Sequence, residues 1–144
     1  MEAGIERFLK AQENSYSSAL AEIKNGRKES HWMWYIFPQM KGLGRTDNSQ
    51  YYGIRDIEEA KEYLGNPILK SHLYELCEIL LQQPHNNTTM IFGHIDSMKF
   101  RSSMTLFDIA EPDSIFADLL AKYFAGTRCP LTLKILTDRL SSPK

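Results

Sequence analysis

Apolar residues recur along the chain mostly three and four apart, the spacing of a single helix face. Ile5, Phe8 and Leu9 form the stripe of a first helix. Ser15 is placed to cap a second, with Ala19, Leu20 and Ile23 inward and Asn25-Gly26 ending it. Asp56-Ile57-Glu58-Glu59 reads as a capping box, in which the Asp56 oxygen accepts a backbone N–H and Glu59 reaches back. That helix runs to Tyr63-Leu64 and stops at Gly65. Asn66-Pro67 opens the longest helix, because proline at a first helical position loses no needed hydrogen bond. Its broad apolar face runs from Ile68 to Leu81, and Pro84 closes the segment. Thr88 to Phe92 forms a short helical turn ended by Gly93. Asp96 caps a helix through about Ala110, Asp113 caps the next, and Pro130 begins the last, which carries Leu131, Leu133, Ile135, Leu136 and Leu140. The pattern predicts a mainly α protein, a single compact helical domain over 1–144 with about seven to eight helices and short connections. The one strand candidate, with His31, Met33, Tyr35 and Phe37 on a face, leaves an α+β variant as the minor alternative.

One stretch stands apart from this periodicity: "SHWMWYIFPQMKGLGR", residues 30 to 45, which holds both tryptophans of the chain. From His31 to Pro38 it carries no charged side chain, so most of it must be buried, and Pro38 forces Phe37 out of a helix. The residue types fit an aromatic core segment with a satisfied histidine. They also fit a platform for a planar ring, with His31 as donor, acceptor or general acid-base. The residues after Pro38 favour the second reading. Gly42 and Gly44 let backbone N–H groups approach an anion, Gln39 adds a polar side chain, and Arg45 can grip a phosphate or carboxylate. The glycine spacing is neither a phosphate-binding loop nor a dinucleotide fingerprint.

"DSMKFRSSMTLFDIA", residues 96 to 110, is the second candidate. Lys99, Arg101 and Ser102 offer donors near a helix start, where anions are favoured. Ser103 lies on the apolar face beside Phe100, Met104 and Phe107, where a bond to the carbonyl one turn back accounts for it. No serine-nucleophile elbow is present. His31, His72, His85 and His94 lie in separate segments without metal-ligand spacing, so no metal site is expected. Glu6, Glu58 and Glu59 read as solvated helix-face charges, and no pair of catalytic carboxylates is identified.

Composition narrows the partners. Seventeen Lys plus Arg against eighteen Asp plus Glu give a formal net charge of −1, with no general electrostatic drive toward nucleic acid or anionic membrane. Cys77 and Cys129 belong to no paired motif and read as reduced thiols. The amphipathic opening "MEAGIERFLKAQENSY" lacks the basic start and apolar run of a signal peptide, so a cytoplasmic location is expected.

The blocks "FLKAQENSYSSALAEIKNGRKESHWMWYIFPQMKGLG", "YLGNPIL", "IFGHIDSMKFRSSMTLF" and "TLKIL" resemble the family of unknown function numbered 1810, whose members are often labelled calpastatin. The match runs from Phe8 to Leu136 in one register. The family blocks fall on Gln12, Ser30, His31, Trp32, Trp34, Phe37, Pro38, Gln39, Gly42, Gly44, Ser102, Ser103 and Thr105. The resemblance implies a compact helical cytosolic domain and supplies no reaction. It shows one departure: Cys129 stands where the family commonly has an aspartate. The calpastatin label is discounted, because an inhibitor that folds on a protease should have a disordered composition. A remote relation to the NADAR superfamily, which handles NAD- or ADP-ribose-linked molecules, bears only on the ligand expected.

These readings converge on an expectation. The chain takes a small anionic ligand of nucleotide or ribose-phosphate type, with hydrolysis of an N-glycosidic bond as the candidate reaction. His31 and Ser102 are the catalytic candidates. Trp32, Trp34, Gln39, Gly42, Gly44, Arg45, Lys99, Arg101 and Ser103 are the binding candidates. No cofactor is expected, and the chain is read as monomer or homodimer. The alternative is a non-catalytic protein-interaction or homodimerising module, in which the aromatic run is core.

Overall fold

The caps and breaks written in the chain place most of its helices. A computed structural model describes residues 4–141, and of residues 139–141 the backbone alone, so the side chain of Leu140 lies outside the description. Nine helices form among the described residues: α1 (Glu6–Lys24), α2 (Met33–Ile36), α3 (Asp47–Tyr51), α4 (Ile57–Gly65), α5 (Pro67–Leu81), α6 (Thr88–Phe92), α7 (His94–Ala110), α8 (Ile115–Phe124) and α9 (Pro130–Ser141). The protein is mainly α. The only β feature among the described residues is an isolated parallel bridge from Met40 to Ile54. The strand candidate at 31–37 is instead α2 followed by a turn, with Phe37 leaving the helix just before Pro38.

Four boundaries differ from the pattern, each for a local reason. Ser15 caps nothing, because α1 runs through it unbroken; no glycine or proline interrupts it, and the Ser15 hydroxyl accepts a hydrogen bond from Tyr35 Oη (2.8 Å). α7 begins at His94, ahead of Asp96, because Gly93 takes φ +84° and serves as both the end of α6 and the cap of α7. Asp96 then sits in the first turn, paired with Lys28 (2.9 Å) and Lys99 (3.5 Å), where the helix end favours negative charge. Ser114, not Asp113, occupies the cap of α8, while Asp113 turns the chain at φ +59°. α3 has no apolar stripe to announce it and is held by Thr46, whose side chain accepts from Ser49 N (3.1 Å). The expected caps at Asp56 and Asn66 are present, accepting from Glu59 N (2.9 Å) and from Ile68 N (3.0 Å) and Leu69 N (3.1 Å).

α7 is the axis of the packing. Every residue from Ser102 to Asp108 is buried, as in a helix surrounded on all sides, and α4, α6, α8 and α9 pack against it. The aromatic run closes over its first half. Phe37 meets Phe100 edge-on (ring centroids 5.1 Å) and Phe92 edge-on (5.9 Å), and Trp32 meets Phe92 (6.5 Å). Phe92 and Phe100 stack at 5.0 Å. Each such pair adds about 0.5–1.5 kcal/mol beyond the area it buries.

A buried ion pair ties the start of α1 to the start of α4. Arg7 Nη1 and Nη2 donate to Glu59 Oε2 (2.9 Å) and Oε1 (3.1 Å), and both residues are buried. Arg7 also donates to Tyr51 O (2.7 Å), Gly53 O (2.8 Å) and Gly4 O, while Glu59 accepts from Arg55 N (2.8 Å). Glu59 is therefore not the solvated charge its helix position suggests. Arg7 is the unrecognised partner, on a helix face otherwise counted as polar. Burial alone would raise the Glu59 carboxyl, but the bonds from Arg7 and Arg55 outweigh it and hold the group below the ordinary carboxylate value. Removing one partner strands a buried charge, so Glu59→Ala should cost about 3–5 kcal/mol in urea denaturation. Because the folded value is depressed, this stability is present above the ordinary carboxylate range and is lost as pH falls toward the folded value. The Glu59→Ala variant should show a correspondingly flatter stability profile below about pH 5.

Candidate functional site

The aromatic run divides its two tryptophans. Trp32 is 1% exposed, and its indole N–H donates to Glu22 Oε1 (2.9 Å). The same carboxylate accepts from Ser30 Oγ (2.6 Å), Ser30 N (2.9 Å) and Glu29 N (2.7 Å). Burial raises the Glu22 carboxyl, but these four donors outweigh it and hold it at about 2. Trp32 is thus a satisfied core side chain. Trp34, two residues on, is only partly buried and opens into a cleft, with the Lys99 ammonium 5.0 Å from its ring centroid.

That cleft encloses about 370 Å³ between the 39–49 loop, the first turns of α7 and the start of α9. The loop is closed by the bridge at its base: Lys41 N donates to Ile54 O (2.9 Å) and Ile54 N to Gln39 O (2.8 Å). Inside it Gly44 lies so close to α3 that a Cβ there would fall 2.7 Å from Ser49 Oγ. Gln50 Nε2 donates to Gly44 O (3.0 Å), which fixes the turn. Gln39, Gly44 and Arg45 line the cleft, and Arg45 is exposed with no ion-pair partner among the described residues. Gly42, at φ +106°, turns the chain but does not line the cleft.

The opposite wall comes from α7 and α9. Arg101 Nη2 donates to Arg128 O (2.8 Å), while its buried Nε has no partner. Thr105 Oγ1 donates to Arg101 O (2.8 Å) and accepts from Cys129 N (2.9 Å), and Arg128 pairs with buried Asp108. These contacts lock the 128–130 segment to α7 and set the N-terminus of α9 at the cleft. Ser102 Oγ lies 3.1 Å from Met98 O and 3.2 Å from Cys129 Sγ. Ser103 faces the core, fully buried, and its hydroxyl has no partner, in place of the carbonyl bond one turn back that its position suggests.

A second hollow of about 500 Å³ adjoins the first and shares Trp34, Ile95 and Lys99 with it. His31 lines this hollow with His94, Asp96 and Lys28. The two catalytic candidates, His31 and Ser102, therefore stand in neighbouring cavities. The structure brings together Trp34, Gln39, Gly44, Arg45, Lys99, Arg101 and Ser102, and it leaves Trp32, Gly42 and Ser103 outside. No group of His, Cys, Asp or Glu among the described residues is arranged to hold a metal ion, and no described helix is long and apolar enough to cross a membrane. The residue missed in the sequence is Cys129, which lines the cleft; its signal was its place just ahead of Pro130, at the start of a helix.

The two tryptophans should separate by stability. Trp32→Phe deletes a buried ring and a hydrogen bond and should cost about 2 kcal/mol in urea denaturation. Trp34→Phe should stay within about 0.5 kcal/mol of the parent protein.

The whole chain has relatives. Among solved structures, the crystal structure of the conserved hypothetical protein Rv1873 from Mycobacterium tuberculosis is similar to it, with a TM-score of 0.89 and 40% sequence identity. The similarity covers 92% of this chain and 96% of that one. No curated protein matches. The family model described as "Protein of unknown function (DUF1810)" matches residues 2–136. With nearly the full length matched, the chain belongs to the DUF1810 family.

Proposed function

We propose that the cleft beside Trp34 binds a small organic anion of the nucleotide or ribose-phosphate type. The observation that carries this reading is the charge of the wall: Arg45, Lys99 and Arg101 line it, and no carboxylate does among the described residues. Arg45 has no ion-pair partner there, and Arg101 holds a buried donor that is unsatisfied. In a partly enclosed site such donors attract a phosphate or carboxylate more strongly than they would in bulk water. Trp34, Leu43 and Met98 supply apolar surface for the ligand's body, and Gln39 and Ser102 supply polar contacts. A net charge near zero conceals this local excess.

N-glycosidic hydrolysis asks more of the site. It needs a group to stabilise an oxocarbenium-like transition state and position a water. Among the described residues this wall carries neither a carboxylate nor an imidazole; Asp96 and His31 line the adjoining hollow. Ligand binding is therefore the function supported best. The second reading, a protein-interaction module, draws on the cleft's rim, where Ile95, Met98 and Leu131 are 68%, 58% and 61% exposed. A concentration-dependent dimer in light scattering would favour it.

Calorimetric titration with AMP, ribose 5-phosphate and ADP-ribose tests the first reading. At least one should bind, and more weakly as salt is raised. Arg45→Ala and Lys99→Ala should each weaken it by about tenfold or more, the loss of one charge-assisted contact, with little change in melting temperature. His31→Ala should leave binding intact. Absence of heat with all three ligands at millimolar concentration contradicts the proposal.

A further inference from the structure

The cleft contains a nucleophile that anion binding alone does not use. Cys129 is the residue before α9, a helix of 12 residues, and its carbonyl accepts from Leu133 N (3.2 Å), which makes it the cap. Its thiol lines the cleft with Arg101 and Ser102, while its backbone is pinned to α7 through Thr105. Ser102 Oγ donates to the Cys129 sulfur (3.2 Å), and the buried Arg101 Nε of the same wall has no hydrogen-bond partner. A thiolate at Cys129 accepts the Ser102 hydrogen bond more strongly than a neutral thiol does. The other cysteine provides a contrast within the same molecule. Cys77 is fully buried in α5, away from both cavities.

We propose that Cys129 is the reactive group of this cleft, a thiolate that exchanges with small disulfides bearing carboxylates and so closes the cleft to its ligand. The preference for carboxylates rests on the anion-binding reading above; the reactivity of the thiol does not. In the step, the Cys129 sulfur attacks one sulfur of the disulfide. A new S–S bond forms to Cys129, the original S–S bond breaks, and the departing thiolate takes a proton from water. Cys129 is oxidised and the departing half is reduced, so the disulfide is the only oxidant required. The half that stays attached places its carboxylate among Arg45, Lys99 and Arg101, where the free ligand would sit.

The electrostatics of the two thiols agree with this assignment. Burial alone would raise Cys129, but the hydroxyls of Ser102 and Thr132 and the N–H groups of Thr132 and Leu131 outweigh it and hold the thiol below its ordinary value. At Cys77 burial acts almost unopposed, and the nearby Glu78 charge adds to it, so that thiol is pushed far above its ordinary value.

The test exposes the native protein at low salt to 3,3′-dithiodipropionate or to cystamine and locates the adducts by peptide mass spectrometry. Rates are normalised to those of the same reagents on the urea-unfolded chain. Cys129 should react at least about tenfold faster than Cys77 in the native protein, and the dicarboxylate should be favoured over the diamine several-fold. Added salt and Arg45→Ala should both shrink that preference. Equal protection of both cysteines until unfolding overturns the proposal and leaves anion binding by the cleft untouched. Rapid reaction at Cys129 without preference for the dicarboxylate also overturns it, and locates the fault in the anion reading.

Discussion

The edge-on contact of Phe37 with Phe100 fixes the relation between the two segments that build the cleft. Phe37 ends α2, and Phe100 lies on α7 one residue beyond Lys99 and one before Arg101. Once the two rings meet, with Phe92 against both, the backbone on either side has little freedom. Trp34 is carried to the side of α7 that bears Lys99, and the chain after Pro38 must return across the first turns of the helix. Apolar burial supplies the energy of this arrangement, and the geometry of aromatic pairs supplies its direction. The groups that line the cleft are thus placed by contacts that lie outside it.

Polar anchors do the rest, and they work over long sequence separations. Arg7 joins the first helix to Glu59 and to the carbonyls of Tyr51 and Gly53, which holds down the far end of the loop that forms one cleft wall. Thr105, Asp108 and Arg101 perform the same service for residues 128 and 129 on the opposite wall. Of these, Arg101 alone faces the cleft. Apart from Ser103, which faces the core, the polar residues of the 101–108 segment divide between holding α9 in place and, at Arg101 and Ser102, lining the cleft. Buried Thr105 and Asp108 sit in the fully buried stretch of α7 because each has a partner from the segment it secures.

Much of the fold was legible in the chain because local rules decide it. Asp56, Asn66-Pro67, Gly93, Gly126 and Pro130 mark helix ends through capping and backbone conformation, which need no tertiary information. Ser15 was misleading because a potential cap is overridden when nothing breaks the helix around it. Glu59 was misleading because helical spacing tells which face a residue lies on, but not whether a charge from 52 positions away will cover it. Within the site, Trp34, Arg45, Lys99 and Ser102 could be named because aromatic and cationic residues clustered in two short segments. Trp32 could not be separated from Trp34 by residue type. Their difference is which one reaches Glu22, a contact across ten positions. At Cys129 the helix start just ahead of Pro130 was legible, but not the Ser102 hydroxyl 27 positions away that its sulfur meets.

One tryptophan lies in the core and the other lines the cleft, and their indole N–H signals distinguish the two. In a heteronuclear NMR titration with phenyl phosphate at millimolar concentration, the Trp34 indole signal should shift and saturate, while that of Trp32, bonded to Glu22, stays in place. A titration in which neither indole signal moves, or in which both move together, contradicts this division of roles.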